Sequence, residues 1–239
     1  AMMHSWDLND QYIANANLSV GGMFTQKGEL WYLSSMVNIG NGWGLTAAHS
    51  VDKLGNPYGV YFGNNAWDAD HSSLISNHYI YPDYTGSQSN SHDLALVQFA
   101  DTLINVPIAT ISSATPQVGD QILMSGVGVP GTAANPEPEQ DGYFRGWNGD
   151  ITKFGDSGKA APYYLTSEWT RGGYPLGALG SYGDSGGGVF NSDGHLIAIL
   201  TGASSGLNFY GTSTFAVGLW EPEIQTWISD TIEANSVPV

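Results

Sequence analysis

Short apolar runs separated by glycine-rich and asparagine-rich turns dominate the chain, and they predict β-strands. Segment 94–99 (LALVQF) alternates so little that we expect burial on both of its faces. With few stretches at the helical period, the pattern predicts an all-β fold. The expected strands lie at 18–25, 30–39, 58–64, 73–81, 94–99, 121–129, 143–154, 187–191, 195–204 and 211–219.

Helices are predicted only near the two ends. Residues 5–17 could form a short helix, and residues from about 222 to 234 an amphipathic one with apolar side chains at helical spacing. Residues 100–118 are expected to cross between two β units, and a polar stretch runs on to about residue 175. No linker separates independent domains, so we expect residues 1–239 to form a single unit.

The charge balance excludes two classes of partner. The chain has 22 Asp and Glu against 6 Lys and Arg, a formal net charge of −16. Nucleic acids and anionic membrane surfaces both attract clustered cations, so neither is an expected partner.

The absence of cysteine excludes disulfides and thiol catalysis. No apolar run has membrane-spanning length, and no signal peptide is visible, which suggests a mature or trimmed chain.

Three segments carry candidate chemistry. His49 ends the segment TAAH, Asp93 opens a buried strand in HDLAL, and Ser185 lies in the glycine-rich turn GDSGG. A carboxylate at a buried strand needs a hydrogen-bonding partner such as an imidazole N–H. Glycines let main-chain N–H groups converge on one point, as stabilisation of an oxyanion requires.

Each segment alone has an ordinary explanation: a core histidine, a turn cap or a tight loop. Together they occur in the order His, Asp, Ser, separated by 44 residues from His49 to Asp93 and by 92 from Asp93 to Ser185. A known Ser–His–Asp triad has the same order, with spacings of about 45 and about 93. Agreement in order, spacing and local motif predicts a catalytic triad.

At these motifs the sequence resembles the chymotrypsin/trypsin family of serine proteases, from about Val20 to Ile228. The resemblance implies an all-β, chymotrypsin-like fold of two six-stranded β-barrels with a C-terminal helix. The barrels would cover about 18–110 and 118–220, with the active site between them.

The resemblance also implies roles for individual residues. Ser185 would be the nucleophile, His49 the general base and then acid, and Asp93 the group that orients His49. The N–H groups of Gly183 and Ser185 would form the oxyanion hole. Thr201 stands where the family has a serine that supports the aspartate, and it keeps a hydroxyl there.

The resemblance places the primary specificity pocket as well. Leu179 would lie at its base, with Ala203 and either Thr212 or Thr214 on its walls, and Thr201 would be a further substrate-binding residue. Trypsin-like enzymes have an aspartate at the base, and a desolvated cation without one is disfavoured. Glutamyl-specific relatives have a histidine near the position of Thr201, and this chain has none there. We therefore predict cleavage after apolar residues of small to medium size.

Family members pair a new N-terminal amine with the aspartate before the catalytic serine, which is Asp184 here. Leu18 lies only 31 residues before His49, too close to begin the activated chain, and SVGGMF is better interpreted as the first barrel strand. We therefore expect an amine near Ala1–His4 to reach Asp184, and an upstream extension to lower activity. The alternative is that a side chain or neutral group holds Asp184.

Several departures bear on context. Gly188 replaces the proline that usually follows GDSGG, and the missing disulfides, the opening residues and the ending NSVPV resemble exported bacterial members. We expect a secreted or extracellular bacterial protein, with the periplasm as alternative.

We expect a monomer with a polypeptide substrate and no cofactor. Asp68 and Asp70 lie where some relatives bind calcium, but a solvated acidic loop is the preferred interpretation.

Two other functions compete with this interpretation. One is a catalytically silent binding module on the same fold, which usually lacks a triad member, whereas all three are present here. The other is an esterase of the α/β-hydrolase type. That enzyme needs a G-x-S-x-G turn and the order Ser, Asp, His, and Ser185 fits neither.

Overall fold

The computed structural model describes every residue except 88–90, 133, 136, 138, 156–162, 205–209 and 237–239. The end of the NSVPV segment therefore lies outside the described residues. The helices are α1 (Asn9–Ala14), α2 (Ala48–Asp52) and α3 (Pro222–Asn235), with 3-10 turns at Trp6–Leu8 and Ala66–Asp68. The strands are β1 (Met2–Met3), β2 (Val20–Lys27), β3 (Leu30–Gly40), β4 (Trp43–Thr46), β5 (Asn56–Phe62), β6 (His71–Ile80), β7 (Ala95–Phe99), β8 (Gln121–Gly126), β9 (Arg145–Asp150), β10 (Lys153–Phe154), β11 (Tyr164–Glu168), β12 (Ala178–Leu179), β13 (Gly188–Phe190), β14 (Leu196–Ala203) and β15 (Ser213–Gly218).

The first half of the chain forms a closed antiparallel barrel of six strands, in the order β2-β3-β4-β7-β6-β5. Met23, Met36, Val60, Phe62 and Val97 fill its interior, each almost fully buried. As the sequence predicted, β7 is buried on both faces, since only Gln98 within it is partly exposed. The barrel thereby fixes Asp93, which lies two residues before β7.

The second half forms a seven-stranded antiparallel sheet in the order β10-β11-β15-β14-β13-β8-β9. The predicted all-β architecture is confirmed, but this unit has one strand more than the six expected. The predicted run 143–154 divides into β9 and β10, and β11 lies where a polar stretch was predicted. Strand β11 was missed because its polar residues are buried: the Thr166 hydroxyl donates to the Gly155 carbonyl at 2.7 Å.

The N-terminal segment packs onto the second sheet. The predicted helix at 5–17 is only a 3-10 turn followed by the six residues of α1. The Tyr12 hydroxyl donates to the Gly177 carbonyl at 2.7 Å, and the Asn15 amide to the Gly146 carbonyl at 3.1 Å. Strand β1 then pairs Met2 with Leu179 of β12. These contacts place the first residues of the chain beside the loop that precedes Ser185.

The apolar side chains of helix α3 pack into a buried cluster, as their spacing predicted. Ile224 and Ile228 are buried in the same cluster as Trp43 and Leu96. Pro222 occupies the first helical position, where its missing N–H has no helical acceptor to lose. Of the helices in the described part of the chain, none is long and apolar enough to span a membrane.

Candidate active site

His49 and Asp93 make two hydrogen bonds to each other. Helix α2 begins directly after β4 and carries His49, while Asp93 is fully buried at the approach to β7. The Nδ1 atom of His49 lies 2.6 Å from Asp93 Oδ2, and the main-chain N–H of His49 donates to Asp93 Oδ1 at 2.7 Å. Asp93 Oδ2 therefore holds the ring of His49, and Asp93 Oδ1 holds its backbone.

Thr201 connects this pair to Ser185. Its hydroxyl donates to Asp93 Oδ2, and its carbonyl accepts a hydrogen bond from Ser185 Oγ at 3.2 Å. The sequence assigned Thr201 both to the support of Asp93 and to the substrate pocket, and the contacts place its hydroxyl on Asp93. Strand β14 thus brings the three predicted triad residues, 44 and 92 positions apart in sequence, into one cluster.

The turn around Ser185 requires glycine at two positions. Gly183 and Gly186 have φ of 97° and 88°, which disfavour any other residue. A Cβ at Gly183 would collide with Gln140 Nε2, and one at Gly186 with the Ser35 carbonyl oxygen. Within the described part of the chain, the N–H groups of Gly183 and Ser185 donate to no acceptor. Two donors are therefore available beside Ser185 Oγ.

The amine of Ala1 lies 3.0 Å from Asp184 Oδ2, and both groups are almost fully buried. Asp184 also accepts hydrogen bonds from neutral donors: the Gly128 N–H at 2.7 Å, the Ser181 N–H at 2.8 Å and the Ser181 hydroxyl at 3.1 Å. Burial lowers the pKa of the Ala1 amine, and the charge of Asp184 opposes that shift. Both the amine and the side-chain partner considered from the sequence are therefore present.

Contacts that involve the main chain connect three of the predicted specificity residues, Leu179, Ala203 and Thr214. Leu179 is buried in β12, and Thr214 Oγ1 accepts the N–H of the next residue, Gly180, at 3.0 Å. Ala203 pairs with Thr214 across β14 and β15. The carbonyl of Thr212 instead accepts the Trp169 N–H at 2.8 Å. Of the two threonines considered for the pocket wall, Thr214 is the one beside its predicted base.

In the part of the chain that the structure describes, no cluster of side chains could bind a metal ion. No three His, Asp or Glu side chains there lie close enough together to hold an ion. Asp68 and Asp70, the alternative calcium ligands, flank the end of a 3-10 turn.

The sequence did not single out Ser35 or Gln140, which both contact the turn before Ser185. Ser35 is a fully buried serine in an otherwise largely apolar stretch of β3. Gln140 donates to the carbonyls of Leu33 and Val127, each at 3.0 Å. A polar residue inside a predicted barrel strand is the signal that could have drawn attention to Ser35.

Comparison with known proteins places these geometries in a family. A sequence model of the trypsin family matches residues 16–228. The structure is similar to that of neuropsin, a serine protease expressed in the limbic system of mouse brain, with a TM-score of 0.72. The identity is 20%, and the match covers 91% of this chain and 96% of neuropsin, so it shows a shared fold. No curated protein sequence matches the chain. Because the family model spans most of its length, the chain belongs to the trypsin family of serine proteases.

Proposed function

We propose that this protein is a serine endopeptidase that cleaves peptide bonds through an acyl-enzyme. The observation that carries the proposal is the connected set of Ser185, Thr201, Asp93 and His49, beside two N–H groups that have no acceptor among the described residues. An intact triad needs a nucleophile, a base and a group that orients the base. A silent binding module would have no need to keep all of these together.

In the proposed reaction, Ser185 Oγ attacks the carbonyl carbon of the scissile bond while His49 Nε2 takes the hydroxyl proton. The new C–O bond places a negative charge on the carbonyl oxygen, which the N–H groups of Gly183 and Ser185 bind. The C–N bond then breaks as His49 gives its proton to the leaving amine. Water attacks the acyl-enzyme by the same route and releases Ser185.

Asp93 fixes the tautomer of His49 and stabilises the imidazolium that forms. The hydrogen bond from Ser185 Oγ to the Thr201 carbonyl must be exchanged for one to His49 as substrate binds. Hydrogen bonds of this kind are often long or misaligned before substrate arrives and tighten in the complex. The 3.2 Å bond to Thr201 is weak enough for that exchange.

The proposed substrates have small or medium-sized apolar residues before the scissile bond. Leu179 offers no counter-charge to a cationic side chain, and Thr214 narrows the space beside Gly180. The protein is proposed to be secreted, by a bacterium, and to act as a monomer without a cofactor.

The test combines labelling, peptide hydrolysis and one substitution. The wild-type protein should react with a peptidyl phosphonate directed at active-site serines and hydrolyse a diverse peptide library. Ser185→Ala should abolish labelling and lower kcat by roughly 10⁶-fold, as loss of a triad nucleophile does elsewhere, while its unfolding transition stays unchanged. Turnover near the wild-type level in Ser185→Ala would remove the basis of the proposal.

A further inference from the structure

Ser35 contacts the turn before Ser185 from the opposite barrel. It lies in β3 and is fully buried. Its hydroxyl donates to the Gly183 carbonyl at 2.8 Å and accepts the Val127 N–H at 3.0 Å. Its own main-chain N–H donates to the Ser185 carbonyl at 2.9 Å. A single residue of the first barrel therefore binds the carbonyls of Gly183 and Ser185, the two residues proposed to form the oxyanion hole.

The contact to Gly183 fixes the peptide group that separates those two N–H groups. That peptide consists of the Gly183 carbonyl and the Asp184 N–H. The carbonyl is held by the Ser35 hydroxyl, and the N–H donates to the Ser181 carbonyl at 3.0 Å. With both polar atoms held, the peptide cannot rotate, and the neighbouring N–H groups keep their directions.

We infer that the hydroxyl of Ser35 is a positioning group that holds residues 183–185, the oxyanion turn, in their active conformation. The inference rests on the proposed function and names a further residue for it. Ser35 acts separately from the groups that hold the Asp184 carboxylate, which are the Ala1 amine and the N–H groups of Gly128 and Ser181. Its hydroxyl is bonded to the Gly183 carbonyl and the Val127 N–H, so its proposed effect on the reaction passes through the main chain.

Loss of the hydroxyl has a defined consequence. In Ser35→Ala the Gly183 carbonyl and the Val127 N–H both lose a buried partner, and an unpaired buried polar group is costly. The carbonyl is then free to turn towards another donor. Because Gly183 has no side chain, its backbone can follow that rotation at little steric cost. The two N–H groups would no longer converge on one point.

The chain offers a matched control next to Ser35. Ser34 is a serine of the same strand, only 1% exposed, whose hydroxyl has no hydrogen-bond partner within the described residues. Ser34→Ala removes the same atom from the same barrel without removing a contact to the oxyanion turn. Ser35→Thr provides a second test, since it keeps a hydroxyl at the position.

The experiment measures kcat, KM and the inhibition constant of a peptide aldehyde, which forms a tetrahedral adduct that uses the oxyanion hole. Deletion of an oxyanion donor costs about 10²–10³ in kcat, so loss of a group that only positions the donors should cost roughly 10–100-fold. Ser35→Ala should show that loss in kcat and in aldehyde affinity, with little change in KM. Ser34→Ala should match the wild type, and Ser35→Thr should recover part of the activity. Equal kcat and aldehyde affinity in wild type and Ser35→Ala would overturn the inference.

A second measurement does not depend on catalysis. Amide hydrogen exchange over residues 181–187 and at Val127 should be faster in Ser35→Ala than in Ser34→Ala. Unchanged exchange at both places would also overturn the inference. If the wild-type protein neither labels with the phosphonate nor cleaves peptides, the proposed function fails. In that case faster exchange in Ser35→Ala still establishes Ser35 as the group that orders this turn.

Discussion

The amine of Ala1 lies 3.0 Å from Oδ2 of Asp184, the residue that precedes Ser185. Strand β1 leads the amine there by pairing with β12, and α1 anchors the segment on β9. The ion pair is fully enclosed, and breaking such a pair leaves a buried carboxylate without its counter-charge, at a cost of about 3–5 kcal/mol. We therefore expect the order of the oxyanion turn to depend on the state of the N-terminus.

A form with two extra residues before Ala1 should be less active than the form that begins at Ala1. The extension moves the charged amine out of a site in which Ala1 is 0% exposed, so Asp184 loses its only cationic partner described there. The measurement is kcat/KM for both forms, with a protease site placed so that the extension can be removed. Recovery of activity after its removal is the control, and full activity of the extended form would contradict the prediction.

Loss of the Thr201 hydroxyl should weaken catalysis without unfolding the protein. In Thr201→Val, Asp93 keeps both hydrogen bonds to His49 but loses its third hydrogen bond, the one from the Thr201 hydroxyl. A hydrogen bond to a charged group contributes about 1.5–3 kcal/mol, so we expect kcat/KM to fall roughly 10–100-fold. Thr201→Ser, which keeps the hydroxyl, should stay within a few-fold of the wild type. An unaffected Thr201→Val would show that the two bonds to His49 are sufficient.

Thr214, rather than Thr212, should control the size of the accepted side chain. Thr214→Ser removes one methyl group but keeps the oxygen that accepts the Gly180 N–H. A single methylene in an apolar pocket changes selectivity by roughly 10–200-fold, so the profile should shift towards larger apolar residues. Peptide-library profiling measures it, with Thr212→Ser as control. A shift in the Thr212 variant alone would reassign the pocket wall.

The ion pair of Arg145 and Asp141 should make stability fall in acid. Arg145 is 1% exposed and its guanidinium contacts both oxygens of Asp141, at 2.9 and 2.6 Å. Burial raises the pKa of Asp141, but the bonds and charge of Arg145 outweigh it and bring the pKa below its usual value of 3.8. The stabilisation is therefore complete above the usual value and is lost as the pH falls through the lower native pKa.

Urea unfolding at a series of pH values tests this pair. The free energy of unfolding should decrease below about pH 4 in the wild type, and this part of the decrease should be absent in Asp141→Asn. At pH 7 the Asn variant should itself be destabilised, because Arg145 is left buried without a counter-charge. Identical acid sensitivity in the two proteins would show that other carboxylates carry the effect.

Much of the fold could be predicted because its signals are local. Apolar runs located most strands, and the spacing of Ile224 and Ile228 located α3. One failure has a clear physical cause. Strand β11 was missed because Thr166 is polar yet buried, its hydroxyl satisfied by a carbonyl 11 residues away in sequence. Such a residue has the composition of a loop until the partner is known.

The sequence by itself determined which chemistry the chain carries, because His49, Asp93 and Ser185 each stand in a short motif and follow one another in a recognisable order. The tertiary structure alone decided which groups meet. Ser35 and Gly183 lie 148 residues apart, and no local pattern relates them. Their contact exists because two sheets pack together, and a buried carbonyl at that junction must find a donor. Composition and periodicity describe what each segment buries, whereas hydrogen bonds between segments depend on how the segments are packed.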